Sequence, residues 1–244
     1  MKLLARVGCA FAWTAASVLA PAHADIQISG TRVIYPADEA EVTVQVDNNG
    51  SGPRLLQIWT DGGDPNETAA TSTAPFLVTP PMSRLEPGKG QALRLMFTGT
   101  DVPQDRESVY WLNVLEVPPR PKSDGGADNF LQFAVRTRIK IFYRPGGLRG
   151  APLDAIGQLT WRMVHSGGSA SLECTNPSAY NVSFAQVRPE RAPREDMPKG
   201  GMCPAMGRAT FPVQSPAGSG PGTVLITAIN DFGGFVESRA PYTD

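Results

Sequence analysis

Residues 130 to 145 read Phe-Leu-Gln-Phe-Ala-Val-Arg-Thr-Arg-Ile-Lys-Ile-Phe-Tyr-Arg-Pro. In an extended chain successive side chains point to opposite faces. Leu131, Phe133, Val135, Thr137 and Ile139 therefore share one face, and Gln132, Ala134, Arg136, Arg138 and Lys140 share the other. The period is two, apolar on one side and increasingly basic on the other, which predicts a β-strand. A long strand with bulky apolar residues invites pairing with other chains unless something covers it. The cover that this pattern suggests is another protein.

Similar short alternating runs lie on both sides. Ile26 and Ile28, then Arg32-Val33-Ile34-Tyr35, predict a first strand ended by Pro36. Val42, Val44 and Val46 alternate up to Asn48-Asn49-Gly50, and residues 55–60 form a run stopped by Asp61-Gly62-Gly63-Asp64-Pro65. Phe76-Leu77-Val78, then Leu93, Leu95 and Phe97, then the apolar run 109–117 follow, the last closed by Pro118-Pro119. About seven strands at this spacing, each closed by a turn signal, indicate an antiparallel immunoglobulin-type sandwich.

Pro145-Gly146-Gly147 marks a boundary, after which the pattern restarts over 159–164, 169–174, 180–187, 209–213 and 224–229, with a brief last strand at 235–238. The stretch from Arg188 to Arg208 is rich in Pro, Gly and charge and reads as a long loop pinned by Cys203. The expectation is an all-β chain of two domains: residues 25–145, immunoglobulin-like, and 146–244, a more irregular β-sandwich. Long helical periodicity is absent.

The first 24 residues read as an export signal. Lys2 and Arg6 give a charged start, an apolar stretch runs from Val7 to Leu19, and Ala22-His23-Ala24 supplies a small-x-small cleavage site. That stretch is short for a membrane span, and the mature chain is expected to start at Asp25. Export places Cys174 and Cys203, the two cysteines that remain, in an oxidising compartment, most simply the periplasm, where they are expected to pair. Such a bridge contributes on the order of 3 kcal/mol. A metal pair is the alternative, but His165 is the sole histidine left to join it.

The formal net charge of −1 gives no footprint for nucleic acid. One histidine in the mature chain excludes a multi-histidine zinc or copper site. No nucleophile elbow, phosphate loop or dinucleotide fingerprint is present, and no cofactor or metal is expected.

The remaining motifs carry a family resemblance along nearly the whole mature chain. They are Thr31-Arg32-Val33-Ile34-Tyr35-Pro36, Val78-Thr79-Pro80-Pro81, Arg84-Leu85-Glu86-Pro87-Gly88 and Pro103-Gln104-Asp105-Arg106-Glu107-Ser108. Tyr110-Trp111-Leu112-Asn113-Val114, Ile139-Lys140-Ile141-Phe142-Tyr143-Arg144-Pro145, Asn176-Pro177 with Tyr180, and Ile229-Asn230-Asp231-Phe232-Gly233 complete the set. Each piece alone is weak; their order and spacing are specific. The chain resembles the periplasmic chaperones of the chaperone–usher pathway, which assemble pili.

The resemblance implies two immunoglobulin-like sandwiches in an L-shaped arrangement and a mechanism without ATP. Pilus subunits of this kind are incomplete sandwiches, and the chaperone lends a strand to the open groove, a mode of strand addition of which this family is itself a known example. Leu131, Phe133 and Val135 would be the donor side chains. Arg32 and Lys140 would grip the subunit's C-terminal carboxylate. Glu107, Arg144 and Asp231 would form a charge network between the domains, and Thr79-Pro80 would be a cis peptide. The implied partners are pilus (fimbrial) subunits and an outer-membrane usher. The exposed donor strand also raises a self-capping homodimer.

The chain departs from the family pattern in places. The loop from Pro118 to Asn129 is short and has no cysteine pair, as in the short-loop branch that mostly serves rod-like pili. Phe232 stands where the family usually has Tyr, and the Cys174–Cys203 link is not matched to a family feature; its physical role would be to tether the irregular loop of the second domain. The competing reading is a structural or adhesive two-sandwich surface or pilus component, which leaves Arg32 with Lys140 unexplained; an exported enzyme would need a catalytic cluster.

Overall fold

The computed structural model describes residues 25–99, 101–119, 132–193, 200–213 and 220–244. The export-signal expectation for 1–24, the donor residue Leu131 and most of the 118–129 loop lie outside the described residues.

Among the described residues the first half of the chain forms nine strands: β1 (Ile26–Ile28), β2 (Arg32–Pro36), β3 (Val42–Asn48), β4 (Arg54–Asp61), β5 (Phe76–Thr79), β6 (Met82–Leu85), β7 (Gly90–Phe97), β8 (Ser108–Val117) and β9 (Val135–Arg144). They make a four-stranded sheet, β1-β3-β7-β5, and a five-stranded sheet, β2-β9-β8-β4-β6. The alternating valines of β3 put Val44 and Val46 into the core between the sheets, against Leu93 and Leu95 of β7 and Leu56, Leu112 and Ile141 of the facing sheet. An aromatic cluster of Tyr35, Phe76, Phe97 and Tyr143 closes one end, with ring centroids 4.3–6.5 Å apart.

The single first strand expected over 26–35 is two strands in two sheets. β1 pairs with β3, while β2 pairs with β9. The chain crosses between sheets at Ser29-Gly30-Thr31, and Gly30 has φ +94°, a left-handed conformation that glycine reaches without steric cost. Thr79–Pro80 is cis.

The second half begins with a short helix, α1 (Asp154–Gln158), which the strand-only expectation did not include. Seven strands follow: β10 (Thr160–Ser166), β11 (Ser169–Asn176), β12 (Val182–Pro189), β13 (Gly201–Cys203), β14 (Gly207–Val213), β15 (Gly222–Ile229) and β16 (Phe235–Thr243). They are hydrogen-bonded in one order, β13-β12-β15-β16-β10-β11-β14. The seam between β16 and β10 is a parallel pairing of two residues, Trp161↔Tyr242 and Arg162↔Thr243. There the sheet folds over on itself around Trp161, Phe184 and Phe211, whose ring centroids lie 5.5–5.9 Å apart. A disulfide joins Cys203 of β13, at one end of the sheet, to Cys174 of β11, next to the strand at the other end. The last strand is nine residues long and pairs with β15 from Phe235 to Tyr242, so the brief strand expected at 235–238 is corrected. Glu237, Arg239 and Pro241 alternate outward along it and mask its inward period.

Candidate functional site

β9 has two halves that differ in what surrounds them. Its odd-numbered face runs from exposed Val135 and Thr137 to Ile139, Ile141 and Tyr143, which are packed in the first core. On one edge β8 pairs with it throughout, from Glu116↔Val135 to Ser108↔Tyr143. On the other edge β2 covers only the second half, starting at Arg32↔Lys140. Among the described residues, the edge from Val135 to Ile139 has no partner strand. It faces an open groove of about 1010 Å³ bordered by β1, Gly30, Thr31 and Asn49.

The strand begins later than the sequence pattern predicts. Pairing starts at Val135, and Phe133, which precedes it, is 69% exposed; Val135 itself is 54% exposed. At the neck of the hairpin the Gln132 side-chain amide donates to the carbonyls of Pro118 and Pro119 at 3.0 and 2.9 Å. A side chain there replaces the backbone ladder.

Arg32 and Lys140 lie where the free edge ends. Parallel register makes them cross-strand neighbours, with both side chains on the outer face of the sheet. One Arg32 Nη donates to the Ile229 carbonyl at 3.1 Å, and its Nε is buried without a hydrogen-bond partner. Lys140 Nζ donates to Ser183 Oγ at 3.2 Å and lies 5.5 Å from the Trp111 ring centroid. Burial, and then the neighbouring Arg32 charge, lower the Lys140 pKa to about 8. Burial also lowers Arg32, opposed by the charge of Asp231. Among the described residues neither cation forms an ion pair, so the site is electropositive, partly desolvated and suited to a carboxylate.

Arg144, four residues further along β9, joins the two halves of the chain. Its Nε donates to Glu107 Oε1 at 2.6 Å, and its two Nη atoms donate to Asp231 at 2.8 and 3.0 Å. The Asn181 amide donates to the other Glu107 oxygen at 2.8 Å. The Glu107 carboxyl is almost fully enclosed; burial pushes its pKa up, against Arg144 and Asn181. Nearby, a cavity of about 240 Å³ is lined by Arg32, Phe142, Leu153, Ile156 and Phe232, the last 95% exposed. The turn carrying Asp231 bends at Gly233, with φ +82°, where an added Cβ would come within 2.7 Å of Thr31 Oγ1.

Sequence reasoning missed Ser183, Trp111 and Asp61. Asp61 reads as the start of a turn, yet it is the last residue of β4 and has no exposed surface. The signal for it is indirect: Arg136, Arg138 and Lys140 on one strand face require a counter-charge. Register places Asp61, Trp111, Lys140 and Arg32 in one row across β4, β8, β9 and β2.

Comparison with known proteins agrees with this architecture. Residues 25–149 match the pili and flagellar-assembly chaperone, PapD N-terminal domain, and residues 154–240 match the pili assembly chaperone PapD, C-terminal domain. The chain is 45% identical over 220 residues, 89% of each sequence, to the probable fimbrial chaperone YadV of Escherichia coli. It is 40% identical to the chaperone protein FimB/FhaD of Bordetella pertussis, over 94% of this chain and 93% of that one. The crystal structure of YadV superposes with a TM-score of 0.75 at 43% identity, covering 89% of this chain and all of YadV. The SafB chaperone, solved in complex with the SafA pilin of Salmonella enterica, gives a structural match of TM-score 0.74 at 30% identity, over 92% and 99% of the two chains. Both halves of the fold, matched in order by both halves of one family, place this chain among the pilus-assembly chaperones of the chaperone–usher pathway.

Proposed function

We propose that this protein binds, folds and caps pilus subunits in the periplasm by lending them the strand around residues 130–140, then delivers them to an outer-membrane usher. Phe133 and Val135, with Leu131, are the donor side chains, and backbone groups of the free β9 edge supply hydrogen bonds. Burying each large apolar side chain contributes roughly 1.5–3 kcal/mol before the cost of association. Arg32 and Lys140 hold the subunit's C-terminal carboxylate, and that contact sets register, since a slip of one residue would turn every donor side chain to the wrong face. The division between the two working domains falls at Pro145-Gly146-Gly147, and Glu107, Arg144 and Asp231 fix their relative setting. The role needs no catalysis.

One observation carries this reading: two adjacent, half-buried cations that form no ion pair among the described residues sit at the point where the free edge of β9 stops. The test is affinity capture of the tagged mature protein from periplasm of piliated cells, beside Lys140→Ala, with mass spectrometry of what is bound. Recovery of a small pilus subunit with the wild type and its loss with the variant support the reading. Equal recovery with both removes the carboxylate anchor, and no subunit with either removes the chaperone role.

A further inference from the structure

The outer face of β4, β8 and β9 carries a cluster that the carboxylate anchor does not use. Asp61, wholly buried at the end of β4, accepts two bonds from Arg138, at 2.8 and 2.5 Å. It also accepts from Asn113 Nδ2 and from the Gly63 amide, both at 2.8 Å. Arg136 approaches Asp61 to 3.6 Å and donates to Asn113 Oδ1 at 2.8 Å. The guanidinium of Arg136 lies 4.8 Å from the Trp59 ring centroid, and that of Arg138 lies 3.9 Å from the Trp111 ring centroid. One buried carboxylate thus gathers two arginines from the free half of β9.

That half of the strand has little else to hold it. Val135 and Thr137 have no core beneath them, and β2 does not reach their edge. Three cations at alternate positions stand within about 14 Å of one another, and like charges along one strand face repel. Burial raises the Asp61 pKa, but the bonds from Arg138, Asn113 and Gly63 outweigh it and hold the carboxyl below its ordinary value. Its oxygens are taken up by these partners, so the Lys140 ammonium in the same row is left to Ser183 and the Trp111 ring.

We infer that Asp61 is a positioning residue for strand addition: through Arg136 and Arg138 it keeps residues 135–139 extended and ready to pair. The inference rests on reading β9 as the lent strand. Asp61 has no exposed surface, so its influence on a bound subunit passes through the two arginines. Ordering the strand in advance removes an entropic cost from binding.

Backbone hydrogen exchange of the mature protein, and affinity for the subunit captured with the wild-type chain, are measured for wild type, Asp61→Asn, Arg138→Gln and Lys140→Ala. In Asp61→Asn and Arg138→Gln the amides of 135–139 that bond to β8 should exchange about tenfold faster or more, with 141–144 still protected. Subunit affinity should fall about tenfold or more in both variants, the ordering cost having returned to the binding step. Wild-type exchange at 135–139, uniform loss of protection along β9, or unchanged affinity overturns the proposal. If Asp61→Asn does not fold, Arg138→Gln, whose side chain is partly exposed, supplies both readouts. Lys140→Ala separates the two readings. Retained binding there sinks the carboxylate anchor, while exchange still decides the role of Asp61. Lost binding there, with wild-type behaviour in the other two, sinks only the role of Asp61.

Discussion

Arg32 and Lys140 are register partners across the parallel β2–β9 pair, and each spends its polar contacts on the second half of the chain: Arg32 on the Ile229 carbonyl, Lys140 on the Ser183 hydroxyl. The proposed anchor and the joint between the two halves are therefore one piece of structure. A carboxylate arriving there would complete a charge balance that the described residues leave open.

This sets a pH dependence. The Lys140 pKa is about 8 in the folded protein, lowered first by burial and then by Arg32, against an ordinary lysine value of 10.5. Between those values the unfolded chain binds more protons, so the Lys140 contribution to stability rises with pH. Binding of a carboxylate favours the charged lysine and has the opposite sign. Subunit affinity should be flat below pH 8 and fall about tenfold per pH unit just above it. Titration of binding between pH 6 and 10 checks this, and the slope should vanish in Lys140→Arg.

Lys140→Ala should melt at or above the wild-type temperature, because it removes a desolvated cation that forms no ion pair among the described residues. The same change should weaken subunit binding by about 2–5 kcal/mol, as truncating one member of a buried charge pair does. Thermal melts beside a binding titration separate the two effects.

Arg144→Ala should cost about 3–5 kcal/mol, because it leaves the Glu107 carboxylate enclosed and unpaired. The Glu107 pKa is already raised by burial and should rise further. An acid with a raised folded pKa loses stability as pH climbs through that value. Urea unfolding should therefore show a larger deficit at pH 8 than at pH 5.

Replacing Cys174 and Cys203 together with serine should cost about 3–4 kcal/mol by loop-closure entropy, for a sequence separation of 29 residues. Chemical denaturation with and without reductant measures it. The wild type under reducing conditions should approach the double variant, while the first core remains unaffected.

Gly233→Ala should destabilise the contact between the two halves, since it combines a left-handed backbone with an approach to Thr31. The cost should be about 1–3 kcal/mol. Limited proteolysis near 145–150, faster in the variant, would report the loosened joint.

Much of this molecule was legible in its residues. The valines of β3 and the odd-numbered residues 139–143 of β9 announced a strand with a buried face, and the motif order announced the family. Other parts were hidden for physical reasons. At Gly30 the inward period slips from even-numbered Ile26 and Ile28 to odd-numbered Val33 and Tyr35, and across so short an interval that slip is lost, so β1 and β2 read as one strand. β16 carries Glu237, Arg239 and Pro241 on its outward face, which lowered its apolar signal below that of a nine-residue strand. Asp61 follows Thr60 and precedes two glycines, a turn signature that concealed a buried carboxylate. Phe133 fits the alternation of β9 but precedes its first paired residue, because side-chain period says nothing about where the neighbouring backbone stops.

The point where β2 joins β9 has one more consequence. β2 runs parallel to β9 and occupies its edge from residue 140 onward. A subunit strand laid on the free edge with its carboxylate at Lys140 must run in the same direction as β2 and end where β2 begins. The two chains would then lie end to end along a single line, one finishing where the other starts. Arg32 would act as the stop against which a client's length is measured, so that a tail even one residue too long has nowhere to go.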